Sequence, residues 1–199
     1  MTLSVMWFRR DFRLQDNTAL YHAVKEAQQR KEPLLFIYHL DPVFTKIDTP
    51  NHRYFFDALE RFVKRCEKLG IYIHIIEGTW QEAFSQILEH FPEMSSLYYN
   101  QDEVGAGQKR DEEIDKFFLQ RGIKVSSYID YTIHGAIEVK KADDSIYKVF
   151  TPYFKKWIAL PKRDPYILTE EDLTLNSVRN DSLYSKGQEA LSNLPMSSD

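Results

Sequence analysis

Short apolar runs alternate with amphipathic stretches over residues 1–130, and this alternation limits the folds open to the chain. The apolar runs cover 3–8, 33–40, 71–76, 96–100 and 124–129, and the amphipathic stretches between them cover 16–30, 51–70, 79–92 and 108–122. The runs have the length of buried strands, and the longer stretches repeat their apolar residues at helical spacing. Strands joined by helices pair in parallel through right-handed crossovers and are covered on both faces. The sequence predicts an α/β domain over 1–130, a Rossmann-like doubly wound sheet of five parallel strands.

Residues at the ends of the amphipathic stretches support this interpretation. Asp16 or Asn17 can cap the first predicted helix, and Gly70 stands where the second should end. Thr79 and Glu82 have the spacing of a capping box, in which each side chain bonds to the other's backbone N–H group.

Sheets of this kind bind ligands at the carboxyl ends of their strands, near the point where the strand order reverses. The loops at those ends are 9–16, 40–50, 77–79 and 100–107. The first lies in "WFRRDFRLQDN" (7–17), which holds three arginines and two aspartates, so its position alone makes it a candidate ligand site. The last, in "YYNQDEVGAGQKRD", predicts a glycine turn followed by Arg110 and Asp111 in the first turn of a helix. This loop has two equally good interpretations. It forms one wall of a ligand cleft, or it only leads into a capped helix that carries an ion pair on the surface.

The alternation stops near residue 130. Beyond it, the sequence predicts one short helix, with Thr151 as its cap, Pro152 in its first turn and an apolar stripe that includes Trp157. Residues 169–199 are mostly polar and cannot bury enough apolar surface to fold alone. We expect 131–199 to be an interdomain linker that leads to the start of another domain.

Composition and motif searches exclude several function classes. The net charge of −4 does not suit an electrostatic nucleic-acid clamp, and no run approaches the length of a membrane span. The six histidines and one cysteine lack the spacing of a metal site, and neither a phosphate-binding P-loop nor a G-x-S-x-G elbow is present. The single cysteine, Cys66, belongs to an apolar helix stripe and suits a reducing cytoplasm. We expect a cytoplasmic protein that does not act on membranes.

Three motifs, in order along the chain, resemble those of the DNA photolyase and cryptochrome family. "WFRRDFRLQDNTAL" (7–20) is similar to the family's W-F-R-x-D-L-R-x-x-D-N-x-A-L, with Phe12 in place of leucine. "NQDEVGAGQKRD" (100–111) resembles its N-x-D…R-D loop. "YKVFTPYFKKW" (147–157) resembles its Y-K-V-F-T-P-[FY] segment. The resemblance spans nearly the whole chain.

The resemblance implies a function in light-driven DNA repair. Photolyases hold a light-harvesting antenna chromophore in an N-terminal α/β domain, and FAD in a larger helical domain that receives a cyclobutane pyrimidine dimer from damaged DNA. By this resemblance, the chain is the antenna domain and linker of a deoxyribodipyrimidine photolyase. The FAD-binding and DNA-binding residues then lie in a C-terminal domain that the sequence does not reach. We therefore expect these 199 residues alone neither to repair nor to bind DNA.

The resemblance also bears on which chromophore is bound. Folate-type members carry an Asn-Glu pair where this chain has Ala106 and Gly107, so a flavin or deazaflavin is favoured over folate. A flat ring needs an apolar slot with a few polar groups. Arg53 is a candidate for a phosphate or ribityl contact, although a surface ion pair fits it equally well. The candidate site residues are Phe36, Tyr38, Asp41, Phe44, Arg53, Phe56, Asn100, Asp102, Glu103, Gly107 and Arg110.

Two alternatives stay open: a cryptochrome-type blue-light photoreceptor domain, and a free-standing nucleotide-binding α/β module.

The resemblance to the family also changes the interpretation of "WFRRDFRLQDN", since the antenna candidates cluster after the second and fourth strands. We expect Arg13 and Asp16 to hold the loop to its helix. Arg9, Arg10 and Asp11 are then expected to face the linker or the further domain instead of a ligand.

Overall fold

The computed structural model describes residues 2–135 and 137–196. Its strands are β1 (Leu3–Phe8), β2 (Leu34–Leu40), β3 (Ile73–Glu77), β4 (Met94–Asn100) and β5 (Lys124–Tyr128). All neighbouring strands pair in parallel, in the order β3-β2-β1-β4-β5, so the order reverses between β1 and β4. The predicted five-stranded doubly wound sheet is confirmed.

Helices cover both faces of the sheet. They are α1 (Thr18–Arg30), α2 (Pro42–Thr45), α3 (Pro50–Lys68), α4 (Trp80–His90), α5 (Gly105–Leu119), α6 (Phe150–Ala159), α7 (Glu170–Thr174) and α8 (Asp181–Ser192). Because side chains alternate along a strand, Met6 and Phe8 pack with α1 and α3 in one core, whereas Val5 and Trp7 pack with α4 and α5 in the other.

The structure confirms the predicted caps of α1 and α4 and moves the starts of α5 and α6. Asn17 caps α1, and Thr79 and Glu82 form the capping box of α4. The residues 105–107, expected to be a glycine turn, are instead the first three of α5, so this helix begins earlier than predicted. At α6 the N-cap position belongs to Val149 instead of Thr151, with no side-chain bond, because the helix already begins at Phe150.

The segment after residue 160, expected to belong to a linker and the start of another domain, packs back on the sheet through α7 and α8. The edge strand β3 is covered by α8: Leu183 enters the core on one face, and Leu191 enters the core on the other. Gly187 permits this close approach, since a Cβ atom there would lie 2.7 Å from the Ile75 carbonyl oxygen and 2.8 Å from its nitrogen. The polar tail therefore folds by using apolar surface that the sheet supplies.

The loop after β1 fastens this tail to the domain. Asp16 donates its backbone N–H to the Tyr166 carbonyl at 2.8 Å, and its carboxylate accepts from Arg163 at 2.7 Å. The side-chain amide of Gln15 bonds both backbone groups of Leu168. Part of the arginine- and aspartate-rich motif thus serves to hold residues 163–168.

Candidate functional site

A cleft of about 900 Å³ opens at the carboxyl ends of β1, β2 and β4. It lies where the strand order reverses, which is the position that doubly wound sheets use for ligands. Trp7 marks this point, because it pairs with Ile37 of β2 on one side and with Tyr99 of β4 on the other. The cleft volume lies within the range of small-molecule sites.

One wall of the cleft is aromatic. Tyr38 at the end of β2 packs against Phe12 and Phe55, with ring centroids 5.9 and 6.5 Å away. Burial raises the pKa of the Tyr38 phenol well above its usual value, so this hydroxyl stays neutral. The aromatic residues that line the cleft are Trp7, Tyr38, Phe44, Phe55, Phe56 and Trp80. Such a wall can pack against a flat conjugated ring.

Charged side chains also line the cleft. Arg9, which follows β1, donates to the Asp111 carboxylate at 2.6 Å and also pairs with Asp102. Burial opposes the charge on Arg9, but the two carboxylates outweigh it and raise the pKa of the guanidinium. The side chain of Arg9 also lies over the rings of Trp7 and Tyr99, at 5.0 and 5.8 Å from their centroids.

Asp102 joins three arginines at the mouth of the cleft. Its carboxylate accepts from Arg9, from Arg10 and, at 3.2 Å, from Arg110. This arrangement requires Gly107 on α5, because a Cβ atom there would stand 2.2 Å from the Asp102 Oδ2 atom. The glycine is therefore needed for close approach to a side chain and does not form a turn.

Below the cleft, Asn100 connects β4 to the loop after β1. Its amide nitrogen donates to the carboxylate of Asp11 and, at 2.8 Å, to the Asn17 side-chain oxygen. Its own side-chain oxygen accepts from the Ala19 backbone at 3.1 Å. Since all these partners are internal and Asn100 is fully buried, its side chain holds the framework of the site.

His39 adds a polar group to the cleft. Burial is the largest influence on this imidazole and lowers its pKa, so the ring is neutral near pH 7. Its Nε2 atom lies 2.7 Å from the Gly78 carbonyl oxygen, which can only accept a hydrogen bond. The proton therefore resides on Nε2, and Nδ1 is left as an acceptor.

The structure brings seven of the predicted site residues together on the cleft and leaves four elsewhere. Those on the cleft are Tyr38, Asp41, Phe44, Phe56, Asp102, Gly107 and Arg110. Phe36 lies two residues deeper in β2 and is fully buried in the core. Asn100 lies beneath the floor, and Glu103 approaches Gly135. Arg53 binds Asp48 through two hydrogen bonds of 2.6 and 2.7 Å on the surface.

The expectation for the first loop was correct only in part. Arg13 does hold the loop, since its side chain donates to the Asp16 carbonyl at 2.9 Å. Arg10 lies over the ring of Tyr131, where the predicted linker begins. Arg9 and Asp11, however, are buried inside the domain, because carboxylates and amides from other loops satisfy them. Both Arg9 and Arg10 also line the cleft, which sequence reasoning did not expect.

Other cleft residues were missed as well. They include Trp7, His39, Phe55, Trp80, Lys109 and Glu113. Trp7 and His39 are each the last but one residue of their strands, a position that could have identified them, since these strand ends were already predicted to border the ligand. The positions on α4 and α5 carry no such local signal.

The charges that line the cleft nearly balance. The lining residues include four cations (Arg9, Arg10, Lys109 and Arg110) and three carboxylates (Asp41, Asp102 and Glu113), so the cleft is close to neutral.

Comparison with known proteins agrees with this fold. The sequence matches the DNA photolyase family over residues 4–169. It is 36% identical over 192 residues to a deoxyribodipyrimidine photo-lyase of Alkalihalophilus pseudofirmus, an alignment that covers 96% of this chain and 40% of that protein. The chain thus spans less than half the length of this relative.

Two solved structures share the fold. A bacterial class III photolyase from Agrobacterium tumefaciens superposes with a TM-score of 0.72 at 19% identity, over 83% of this chain and 34% of that one. An archaeal photolyase from Sulfolobus tokodaii, solved with two FAD molecules, superposes with a TM-score of 0.62 at 22% identity, over 83% and 36%. The chain belongs to the DNA photolyase family.

Proposed function

We propose that the chain is the antenna-binding domain of a deoxyribodipyrimidine photolyase, and that the cleft at the ends of β1, β2 and β4 holds the light-harvesting chromophore. The observation that carries this proposal is a cleft at the reversal of the strand order that is lined by both aromatic rings and nearly balanced charges. In the full-length protein, a further helical domain would hold FAD and receive a cyclobutane pyrimidine dimer in damaged DNA.

The residues of the cleft fit a flavin or deazaflavin better than a folate. Ala106 and Gly107 line the cleft but offer no side-chain acceptor at the positions where folate-type members carry Asn-Glu. The aromatic side chains supply a slot for an isoalloxazine-like ring. The Sulfolobus tokodaii photolyase contains two FAD molecules, which imply a novel light-harvesting cofactor in that protein and give a precedent for a flavin in this role.

When bound, the chromophore absorbs near-ultraviolet or blue light and passes its excitation to FAD. The chain's own residues bind and orient it. Tyr38 and Phe44 would pack on the ring, and the neutral His39 would accept a hydrogen bond through Nδ1. Arg9 fixes Asp102 and the start of α5 relative to β1, which holds these polar groups in place at the edge of the cleft.

Ligand titration tests this proposal with the 199-residue chain. Riboflavin, FMN, FAD, a deazaflavin and methenyltetrahydrofolate are each added, and binding is followed by fluorescence polarisation of the ligand. We expect a flavin or deazaflavin to bind more tightly than the folate. Phe44→Ala should weaken that binding about tenfold or more, since Phe44 is half-exposed on the cleft and contributes little to folding.

Tyr54→Ala is the matched control. Tyr54 lies on α3 and is 70% exposed, but it does not line the cleft. Its removal should leave the dissociation constant unchanged. Failure of every chromophore to bind would overturn the antenna assignment, and tighter binding of the folate would overturn the preference for a flavin.

The same proposal limits what these residues do alone. Cyclobutane dimer repair needs FAD and the lesion together, and we assign both to the further domain. Light-dependent repair by the 199-residue chain, or binding of duplex DNA by it, would therefore contradict the proposal.

We also propose a cytoplasmic location, consistent with one buried, unpaired cysteine. Within the described residues, no helix has the length and apolar character needed to cross a membrane.

A further inference from the structure

Helix α6 carries an apolar surface that the other described residues leave uncovered. Phe150, Phe154 and Ile158 are 72%, 44% and 55% exposed, and none of the residues of α6 is buried. Val149, just before the helix, is 63% exposed. Together with Trp157 these side chains form what we call the α6 stripe. Exposed apolar surface concentrated on one helix face marks an interaction site.

The rings of the α6 stripe are stacked on one another along the helix. Phe150 and Phe154 have centroids 5.7 Å apart and planes inclined by 24°, and Phe154 and Trp157 have centroids 6.1 Å apart and planes inclined by 19°. Each of these rings therefore has a nearly parallel aromatic neighbour along the helix. Apolar side chains dominate the exposed face of α6, which favours a protein partner over a nucleic acid.

The short length of α6 indicates that the helix needs a partner to cover its apolar stripe. An isolated helix of about ten residues is marginal in water, even with good helix formers. The Lys162 Nζ group partly stabilises the end of α6 by donating to the carbonyl oxygens of Ile158 and Leu160, at 3.1 and 2.7 Å. The start of the helix has no side-chain cap. Burial of the stripe against a partner would supply the missing stabilisation.

The charges around the stripe define the partner's chemistry. Residues 145–163 contain five basic side chains and no acidic one, so the remainder of the chain carries a net charge of −9 against −4 for the whole. Lys162 is used at the helix end, and Arg163 pairs with Asp16. Lys148, Lys155 and Lys156 are exposed and form no ion pair with the described residues. These lysines attract carboxylates.

We propose that the α6 stripe is a docking surface for an amphipathic protein helix whose apolar stripe is flanked by aspartate and glutamate. Such a helix would cover the aromatic rings and place its carboxylates against Lys155 and Lys156. A second copy of this chain is disfavoured, because it would bring the same lysines into the interface. The acidic remainder of the chain likewise repels an anionic membrane. This proposal does not depend on the cleft's ligand.

Two designed helical peptides test the proposal directly. Both carry the same leucine stripe, one flanked by glutamates and the other by lysines, and each is labelled for fluorescence anisotropy. The 199-residue chain should bind the glutamate peptide about tenfold or more tightly than the lysine peptide, and added salt should reduce this difference. Equal affinities, or no binding of either peptide, would overturn the proposal.

Variants assign the binding to the stripe. Phe154→Ser should weaken binding of the glutamate peptide about fivefold or more, whereas Tyr54→Ser, at an exposed residue on α3, should not. Both variants should retain the fold, since neither side chain is buried. The double variant Lys155→Glu with Lys156→Glu should reverse the preference and bind the lysine peptide.

Three further measurements test whether the α6 stripe instead binds a second copy of the chain, a nucleic acid or a membrane. Sedimentation tests the first of these. The chain should remain monomeric at the concentrations used for the peptides. A dimer that Phe154→Ser dissociates would show that the stripe serves a second copy. Tighter binding to single-stranded oligothymidylate or to phosphatidylserine vesicles than to the glutamate peptide would also contradict a protein partner.

Discussion

Arg9 at the end of β1 and Asp111 on α5 form a buried ion pair of 2.6 Å between residues 102 positions apart. The pair bridges β1 and α5 at the point where the strand order reverses, and Asp102 completes it. It therefore fixes the position of α5, which carries part of the cleft lining, relative to β1. The framework of the site and the stability of the fold rest on the same contact.

Arg9→Met should lower the free energy of unfolding by about 3 kcal/mol or more, because it leaves two largely buried carboxylates short of their cation. Arg10→Met is the matched control: Arg10 also pairs with Asp102, but its side chain is 61% exposed, so we expect a loss below about 1 kcal/mol. Urea unfolding followed by circular dichroism measures both values. Equal losses for the two variants would show that the burial of Arg9 is not what makes the pair important.

Gly107→Ala should destabilise the protein by about 1 kcal/mol or more, although alanine is ordinarily the better helix former. The reason is the Asp102 carboxylate, which occupies the space that the new Cβ atom requires. Asp102→Ala removes this obstacle, so adding Gly107→Ala to that variant should be neutral or stabilising. A double-mutant cycle by urea unfolding gives the coupling energy. Additive effects would show that the two residues do not interact.

His74 makes stability depend on pH. Its Nδ1–H donates to the Phe36 carbonyl at 3.0 Å, and its Nε2 atom accepts from the Asn180 backbone N–H at the start of α8, also at 3.0 Å. Burial lowers the pKa of this imidazole in the folded state. Below about pH 6.5 the unfolded chain therefore binds more protons than the folded one, and stability is lost as the pH falls.

His74→Gln keeps polar groups at this position without a titrating ring. It should be less stable than the natural protein at pH 8, but the difference between them should narrow as the pH falls below about 6.5. Unfolding free energies at a series of pH values measure this difference. His90→Gln, at an exposed histidine on α4, is the control and should follow the natural protein. A constant difference across the series would exclude His74 as a source of the pH dependence.

Gly187→Ala should destabilise the fold by about 2 kcal/mol, since the added methyl group would meet the backbone of Ile75 in β3. Ser185→Ala, on the exposed side of the same helix, should cost little. Because displacement of α8 uncovers an edge strand, the Gly187 variant should also self-associate in sedimentation experiments. Alanine ordinarily stabilises a helix when it replaces a glycine. Such a gain in stability here would contradict the close packing of α8 on β3.

The sheet and its helices were predictable because their signals are local. Each strand is a short apolar run, and the capping box of Thr79 and Glu82 lies within four residues. The packing of α8 was not predictable in this way, because Leu183 and Leu191 enter two cores that other parts of the chain build. The start of α5 was misplaced because Gly107 resembles a turn residue until the position of Asp102 is known.

The candidate site was predicted as a region more successfully than as a set of residues. The loops after β1, β2 and β4 do meet at the cleft, since topology alone brings strand ends together. The partner of each charge depends on tertiary packing. Arg53 therefore pairs with the nearby Asp48, whereas Arg9, expected to face outward, joins carboxylates from a distant loop.

The position of α8 has a consequence for building chimeric proteins. The alternating pattern ends near residue 130, which invites a fusion junction there. A junction at that point would exchange or delete the segment that covers β3, and the sheet would be left with an open hydrogen-bonding edge. The unit that can be transplanted between relatives therefore runs through Leu194, the last buried residue of the described tail. Grafts that keep residues 163–194 with their own sheet should yield soluble hybrids.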